Sequence, residues 1–299
     1  MRHFQNISEF HRACGYPPPA HPLLSLLTCQ QLLHCSFGDA PLTSDFYLIS
    51  FRKMKAGGRF LYGKTSYDHE AGALSFVQPR QVMQVTNLQL IEMAFVIIVH
   101  EDYLLGHPLH AEIKKYGFFD YEVNEALHLA PREEQILWEL YHQMGSEYGN
   151  NPDEYSRDII LTHLASILKY SQRFYKRQFL NRSVLSGTTT SRFTELLTAY
   201  FERGLLQQEG LPTVKYLADK LHTSPRYLTD LLKQETGKTA LDHIHRFLLS
   251  EAKNLLISTD NTIAQTAYQL GFENPPYFSR LFKKEVGLTP HEYRAQFLN

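Results

Sequence analysis

The sequence predicts an α+β multi-domain protein. An N-terminal, antiparallel, β-barrel-like domain with a helical hairpin is followed by an all-α domain built on an internal repeat. Three observations carry this reading. The first third alternates β-branched and aromatic runs with Gly turns, the apolar period becomes helical at Pro131, and the last hundred residues repeat one pattern of caps and apolar positions.

The strands come first. Asp45 to Phe51 (DFYLISF) reads as a strand and Gly57-Gly58 as a turn, with further strands at Leu74–Gln78, Gln81–Thr86 and Ala94–Val99. Several short strands separated by turns fit a small antiparallel barrel or sandwich. Behind Pro131, a good first helical residue, Glu133 and Glu134 occupy the first turn, and Ile136, Leu137, Leu140 and Met144 recur at helical spacing. Asn151-Pro152 ends that helix. A second is expected over 153–179, where Ile159, Ile160, His163, Leu164, Ile167, Leu168 and Tyr170 form a wide apolar stripe. The two helices are expected to pair as a hairpin on the barrel or on a second subunit. Residues 181–190 (NRSVLSGTTT) are polar and Ser/Thr-rich, which suits an exposed linker.

Composition narrows the class. With 299 residues and 43% hydrophobic content, the chain can bury a substantial core. It contains no apolar run of about 18 residues, and MRHFQNISEF lacks an apolar signal core, so neither a membrane span nor a secretory signal is expected. Three cysteines, Cys14, Cys29 and Cys35, make no disulfide framework and point to a reducing, cytoplasmic location. The net charge is −1, so any surface for a polyanion must come from local placement of Lys and Arg. The cluster His100, Asp102, His107 and His110 lacks i, i+4 spacing and lies among Gly106 and Pro108, which reads as a solvated loop. His69-Glu70 lacks the second His of a metal-binding barrel, and Cys29, His34 and Cys35 have no completing cluster. No metal, cofactor or catalytic residue is assigned. No phosphate loop, dinucleotide glycine pattern or nucleophile elbow occurs, and Trp138 lies on the apolar side of its helix, where core is expected.

The repeat carries the function. Thr213-Val214-Lys215-Tyr216-Leu217-Ala218-Asp219-Lys220-Leu221 matches Thr262-Ile263-Ala264-Gln265-Thr266-Ala267-Tyr268-Gln269-Leu270 in Thr, β-branched, Ala and Leu positions. Tyr227-Leu228, Leu231-Leu232-Lys233, Glu235 and Gly237-Lys238-Thr239 then match Tyr277-Phe278, Leu281-Phe282-Lys283, Glu285 and Gly287-Leu288-Thr289, with one extra residue in the second turn. Each copy reads as a helix capped by Thr213 or Thr262, a turn, and a second helix begun by Ser224-Pro225 or Asn274-Pro275. That is a helix-turn-helix. Ala218 and Ala267 allow close approach, Leu221, Leu228 and Leu231 with Leu270, Phe278 and Leu281 fill the interface, and Gly237 and Gly287 supply left-handed C-caps. The second helices begin at Ser224 and Asn274. Their polar faces carry Arg226, Thr229 and Lys233 in one and Ser279, Arg280, Lys283 and Lys284 in the other, an arrangement suited to a DNA major groove and its phosphates.

The stretch from Gly271 to Arg294 (GFENPPYFSRLFKKEVGLTPHEYR) resembles the signature of AraC/XylS-type transcription regulators, and the resemblance covers about the last hundred residues. It implies two helix-turn-helix units joined by a helix over about 240–257, with both recognition helices in successive major-groove segments on one face of double-stranded promoter or operator DNA. Two departures stand out. Asp230 occupies the position of Arg280, where a carboxylate repels phosphate or accepts from a cytosine amino group. The second unit is therefore expected to supply more affinity and the first more selectivity. Pro275-Pro276 stiffens the start of the second recognition helix, so base contacts are not expected from those two positions. The resemblance also implies a cupin-like N-terminal domain for a small-molecule effector, a homodimer, and contact with RNA polymerase.

The expected organisation is a cupin-like sensing domain over 1–130, a dimerising hairpin over 131–180, a linker over 181–190, and a DNA-binding domain over 191–299 with units at about 212–237 and 261–287. The expected function is effector-responsive, sequence-specific transcription regulation without enzymatic activity. The alternatives are a metal-binding barrel enzyme or a protein-recruiting adaptor, each with a DNA-binding appendage.

Overall fold

The computed structural model describes residues 2–28, 41–54, 61–62, 65–66, 72–82, 91–122, 125–186 and 189–298, and the chain divides into two compact units, 1–178 and 179–299.

In the first unit, five strands form one antiparallel sheet: β2 (Leu24–Thr28), β4 (Phe46–Met54), β7 (Ala73–Val77), β8 (Ile91–His100) and β9 (Leu127–His128), in the order β2-β8-β4-β7-β9. The expected strands at 45–51, 74–78 and 94–99 correspond to β4, β7 and β8. Gln81 and Val82 lie outside any strand, and the rest of the expected strand to Thr86, the Gly57-Gly58 turn, His69-Glu70, Cys29, His34 and Cys35 lie outside the described residues. Two small pairs complete the β-structure. β1 (Arg2–Phe4) pairs in parallel with β3 (Leu42–Ser44), and β5 (Leu61–Tyr62) pairs with β6 (Thr65–Ser66).

Both faces of the sheet are covered, which is why its strands are apolar at nearly every position. On one face, Phe46, Leu48, Val96 and Ile98 pack against Phe4 of β1 and Ile7, Phe10 and Cys14 of α1 (Ile7–Cys14). The other face meets α3 (Pro131–Gly149): the Phe95 ring stacks on Tyr141 at 4.4 Å and meets the edge of Trp138 at 5.0 Å. Trp138 is half-buried, with its ring packed against the core aromatics Phe95 and Tyr141. Tyr141 donates a hydrogen bond to the Leu27 carbonyl at 3.1 Å, and burial pushes its phenol well above the usual range. Glu134, also buried, accepts from the Gly72 N–H at 2.5 Å and lies 3.6 Å from the Lys53 ammonium. Helix α3 is therefore held to the sheet by aromatic packing and by a paired charge that would be costly if left alone.

The expected hairpin partner is α4 (Ser156–Ser186). Arg177 of α4 binds Glu133 of α3 through two hydrogen bonds, at 3.1 and 2.6 Å, and reaches the His128 carbonyl at 2.7 Å. The segment expected as an irregular linker requires a correction, since the backbone stays helical to Ser186 and α5 (Thr189–Glu202) begins three residues later. Its Arg favours a helix, its Asn and Ser are only mildly unfavourable, and a helix already 25 residues long at Leu180 extends without new nucleation.

The expected loop of histidines contains 3-10 turns and a short helix, α2 (Leu109–Glu112). His100 and His107 accept from the N–H groups of Asp102 and Leu109, and His110 lies 3.2 Å from the Lys114 ammonium. His100 also reaches the Gln5 carbonyl through Nε2 at 3.2 Å, and no group of three metal-ligating side chains gathers among the described residues. No described helix is long and apolar enough to cross a membrane.

Candidate nucleic-acid interface

In the second unit a short helix, α6 (Leu205–Gln208), follows α5, and the unit is built around α9 (Ala240–Ser258), the helix expected between the two repeats. Its buried side, Ala240, Ile244, Leu248, Leu249, Ala252 and Leu256, belongs to the same core as Leu228, Leu232, Phe278 and Phe282. One core therefore holds both copies of the repeat.

In the first copy, Thr213 caps α7 (Val214–Lys220) by accepting from the Tyr216 N–H at 3.1 Å. The chain turns through His222 at φ 55°, and Ser224 caps α8 (Pro225–Thr236), accepting from the Tyr227 N–H at 3.2 Å. In the second copy, Thr262 caps α10 (Ile263–Gln269) in a reciprocal box with Gln265, the chain turns through Gly271 at φ 80°, and Asn274 caps α11 (Pro275–Val286) at 3.0 Å. Both second helices end on a left-handed glycine, Gly237 at φ 75° and Gly287 at φ 87°, whose N–H returns to Lys233 or Lys283. The repeat then continues through capping boxes of Thr239 with Asp242 and Thr289 with Glu292, the second of which opens α12 (Pro290–Leu298). Hydrogen bonds from these threonines hold both carboxyls below their usual range.

Packing follows the pattern read from the sequence. Ala218 and Ala267 are fully buried, as are Leu228, Leu270 and Phe278, with Leu231 and Leu281 nearly so and Leu221 half-buried. The amphipathic division leaves one face of each second helix to solvent.

The candidate contact residues fall into two groups. Ser224 is buried and Asn274 is exposed, and both side chains hold the start of a helix. Arg226, Lys233, Arg280, Lys283 and Lys284 are exposed, while Thr229 and Ser279 are half-buried beside them. Thr229 donates its hydroxyl to the Pro225 carbonyl at 2.8 Å. The copies differ in charge: on α8 the Arg226 Nε lies 3.1 Å from an Asp230 carboxylate oxygen, whereas on α11 Arg280 has no ion-pair partner among the described residues. Lys284 lies 3.9 Å from Glu285.

One contact escaped sequence reasoning. Glu235 of α8 accepts from the N–H groups of Thr189 and Thr190 at 3.1 and 3.0 Å and from the Thr190 hydroxyl at 2.7 Å, so it caps α5 from a distance in sequence. Its repeat mate Glu285 is exposed. The partners of Glu235 lie 45 and 46 positions away in the sequence, so no local spacing signals this cap.

A family model described as a helix-turn-helix domain matches residues 217–296, from within α7 to within α12. The matched span holds both second helices, the joining helix and the Gly271 to Arg294 signature. Residues 217–296 are an AraC-type helix-turn-helix domain. This AraC-type domain is similar to part of the bifunctional transcriptional activator/DNA repair enzyme AdaA of Bacillus subtilis, 34% identical over 104 residues, or 35% of this chain and 48% of that protein. The HTH-type transcriptional activator RhaR of Yersinia pestis is 27% identical over 188 residues, covering 57% of this chain and 60% of its own length. The chain thus spans about half the length of these relatives. Among solved structures, the C-terminal domain of the response regulator yesN from Fusobacterium nucleatum is 32% identical over 34% of this chain and 96% of its own, with a TM-score of 0.30.

Proposed function

We propose that the chain is a sequence-specific transcription regulator whose AraC-type domain lays α8 and α11 into successive major-groove segments of promoter or operator DNA. The observation that carries this is the exposed face of α11, where Arg280, Lys283 and Lys284 lie on a helix whose opposite side is buried. A helix fits the major groove with its first turns at base edges, and Lys and Arg along it hold phosphates. With Arg226 engaged by Asp230, α8 offers less free positive charge, so α11 and its surroundings supply most of the affinity.

In this reading, the first unit senses a small-molecule effector or holds a homodimer together through α3 and α4, and RNA polymerase is a further partner. No catalytic role is assigned. Binding of the full chain to a selected DNA site, measured for Arg280→Glu and Lys283→Glu with circular dichroism as the check on folding, tests the reading. Loss of specific binding in folded variants supports it. Unchanged affinity in both rejects α11 as the principal DNA-binding element.

A further inference from the structure

Each second helix carries one exposed arginine, but one turn apart: Arg226 in the first turn of α8, and Arg280 a turn later on α11, where the Arg226 position is Pro276 and the Asp230 position is Arg280 itself. In the first copy the guanidinium is not alone. The Arg226 Nε donates to Asp230 Oδ2 at 3.1 Å across one helical turn, with the arginine side chain 46% exposed and the aspartate 25% exposed. Exposed i, i+4 pairs contribute little to stability, and a carboxylate on a groove-facing helix opposes phosphate binding. Both considerations count against the pair serving stability or raw affinity.

Geometry supplies another role. A guanidinium has five N–H donors in a planar fork, and bonding through Nε leaves the Nη edge directed away from the carboxylate. That edge makes no hydrogen bond among the described residues. Two parallel N–H donors match the O6 and N7 acceptors of guanine in the major groove. A long side chain normally loses rotamer freedom on binding, and fixing it beforehand lowers that cost.

We infer that Asp230 is a positioning residue that holds Arg226 for bidentate reading of one guanine by the first helix-turn-helix unit. The inference rests on the regulator reading above. Asp230 contributes selectivity at the expense of non-specific affinity, and Arg226 makes the base contact. Substituting Asp230 thus has an unusual signature, in which random DNA is bound more tightly while preference at one position is lost.

The test is selection from a random duplex library by the full-length wild-type chain, by Arg226→Ala, Asp230→Ala, Asp230→Asn and Arg280→Ala variants, and by the Arg226→Ala/Asp230→Ala double variant, with thermal melting to confirm folding. The wild type is expected to enrich a site with a required guanine, preferred on the order of tenfold or more over other bases. Arg226→Ala and Asp230→Ala relax that same position, the double variant relaxes it no further than Arg226→Ala alone, and Asp230→Asn, which keeps an acceptor oxygen, retains part of the preference. Arg280→Ala affects a different position or lowers affinity uniformly. Loss of a guanine in Arg226→Ala that persists in Asp230→Ala overturns the positioning role, and a site unchanged by Arg226→Ala overturns the base contact, while the regulator reading survives both. Failure of the folded wild type to enrich any site overturns that reading and the inference with it.

Discussion

Gly271 and Gly287 both hold left-handed backbone, yet the space around them differs. A Cβ on Gly271 would lie 2.9 Å from the Leu206 carbonyl oxygen, while one on Gly287 meets nothing within 4 Å. Gly287→Ala therefore pays only the conformational strain, roughly 1 kcal/mol, and Gly271→Ala adds a backbone clash for a total of about 2–3 kcal/mol. Chemical denaturation of the two variants should show that order, and equal losses would contradict the close approach. His11 supplies a pH dependence. Its ring is buried, Nδ1 donates to the Pro17 carbonyl at 2.6 Å, and Nε2 has no partner among the described residues. Burial lowers its pKa below the ordinary 6.5, against a smaller upward pull from that hydrogen bond. A group that binds protons less readily when folded stabilises fully above its unfolded pKa, and this stability is lost as pH falls below about 6.5 toward the folded value. Burial lowers His21, His243 and His245 too, so the wild-type slope is shared, and the melting point of His11→Gln should fall less steeply from pH 7 to 5. An unchanged slope would show that His11 does not contribute. Residues with a local signature, such as Thr213, Ser224, Asn274 and Gly287, were legible in the sequence because caps act within one turn. Glu235 was not, because its partners lie 45 and 46 positions away.

At the scale of elements, that cap makes a prediction. Glu235→Ala removes three hydrogen bonds from the start of α5 and should cost about 1–2 kcal/mol, whereas Glu285→Ala, at the matching exposed position, should stay within about 0.5 kcal/mol. Similar effects from both would show that the α5 cap is dispensable. The all-α elements were read closely from the sequence, and the expected joining helix over about 240–257 is α9 at Ala240–Ser258. The β elements were harder. β2 and α1 went unread because Leu24–Thr28 is an apolar run without alternation and Ile7–Cys14 is only eight residues long, too short to establish a period. The difficulty at 181–186 has a similar origin, since its polar composition suits a linker while the backbone hydrogen bonds of a long helix tolerate it.

For the whole molecule, a net charge of −1 concealed a locally basic helix face, and only the repeat disclosed it. Binding that depends on a few such cations should weaken with salt, with a log–log slope of about −0.9 for each phosphate neutralised, and Lys283→Ala should reduce the slope by about one. A flat salt response would exclude phosphate contacts as the source of affinity. The proposed dimer is open to sedimentation at micromolar concentration, where a monomer would contradict it. The central claim is sequence-specific recognition by two joined helix-turn-helix units. It is tested most directly by selecting genomic DNA fragments with the full-length protein and footprinting the winners. The account predicts one recurrent site protected over two adjacent major-groove segments on the same DNA face and weakened by Arg280→Ala. Folded protein that enriches no fragment over random DNA would contradict it.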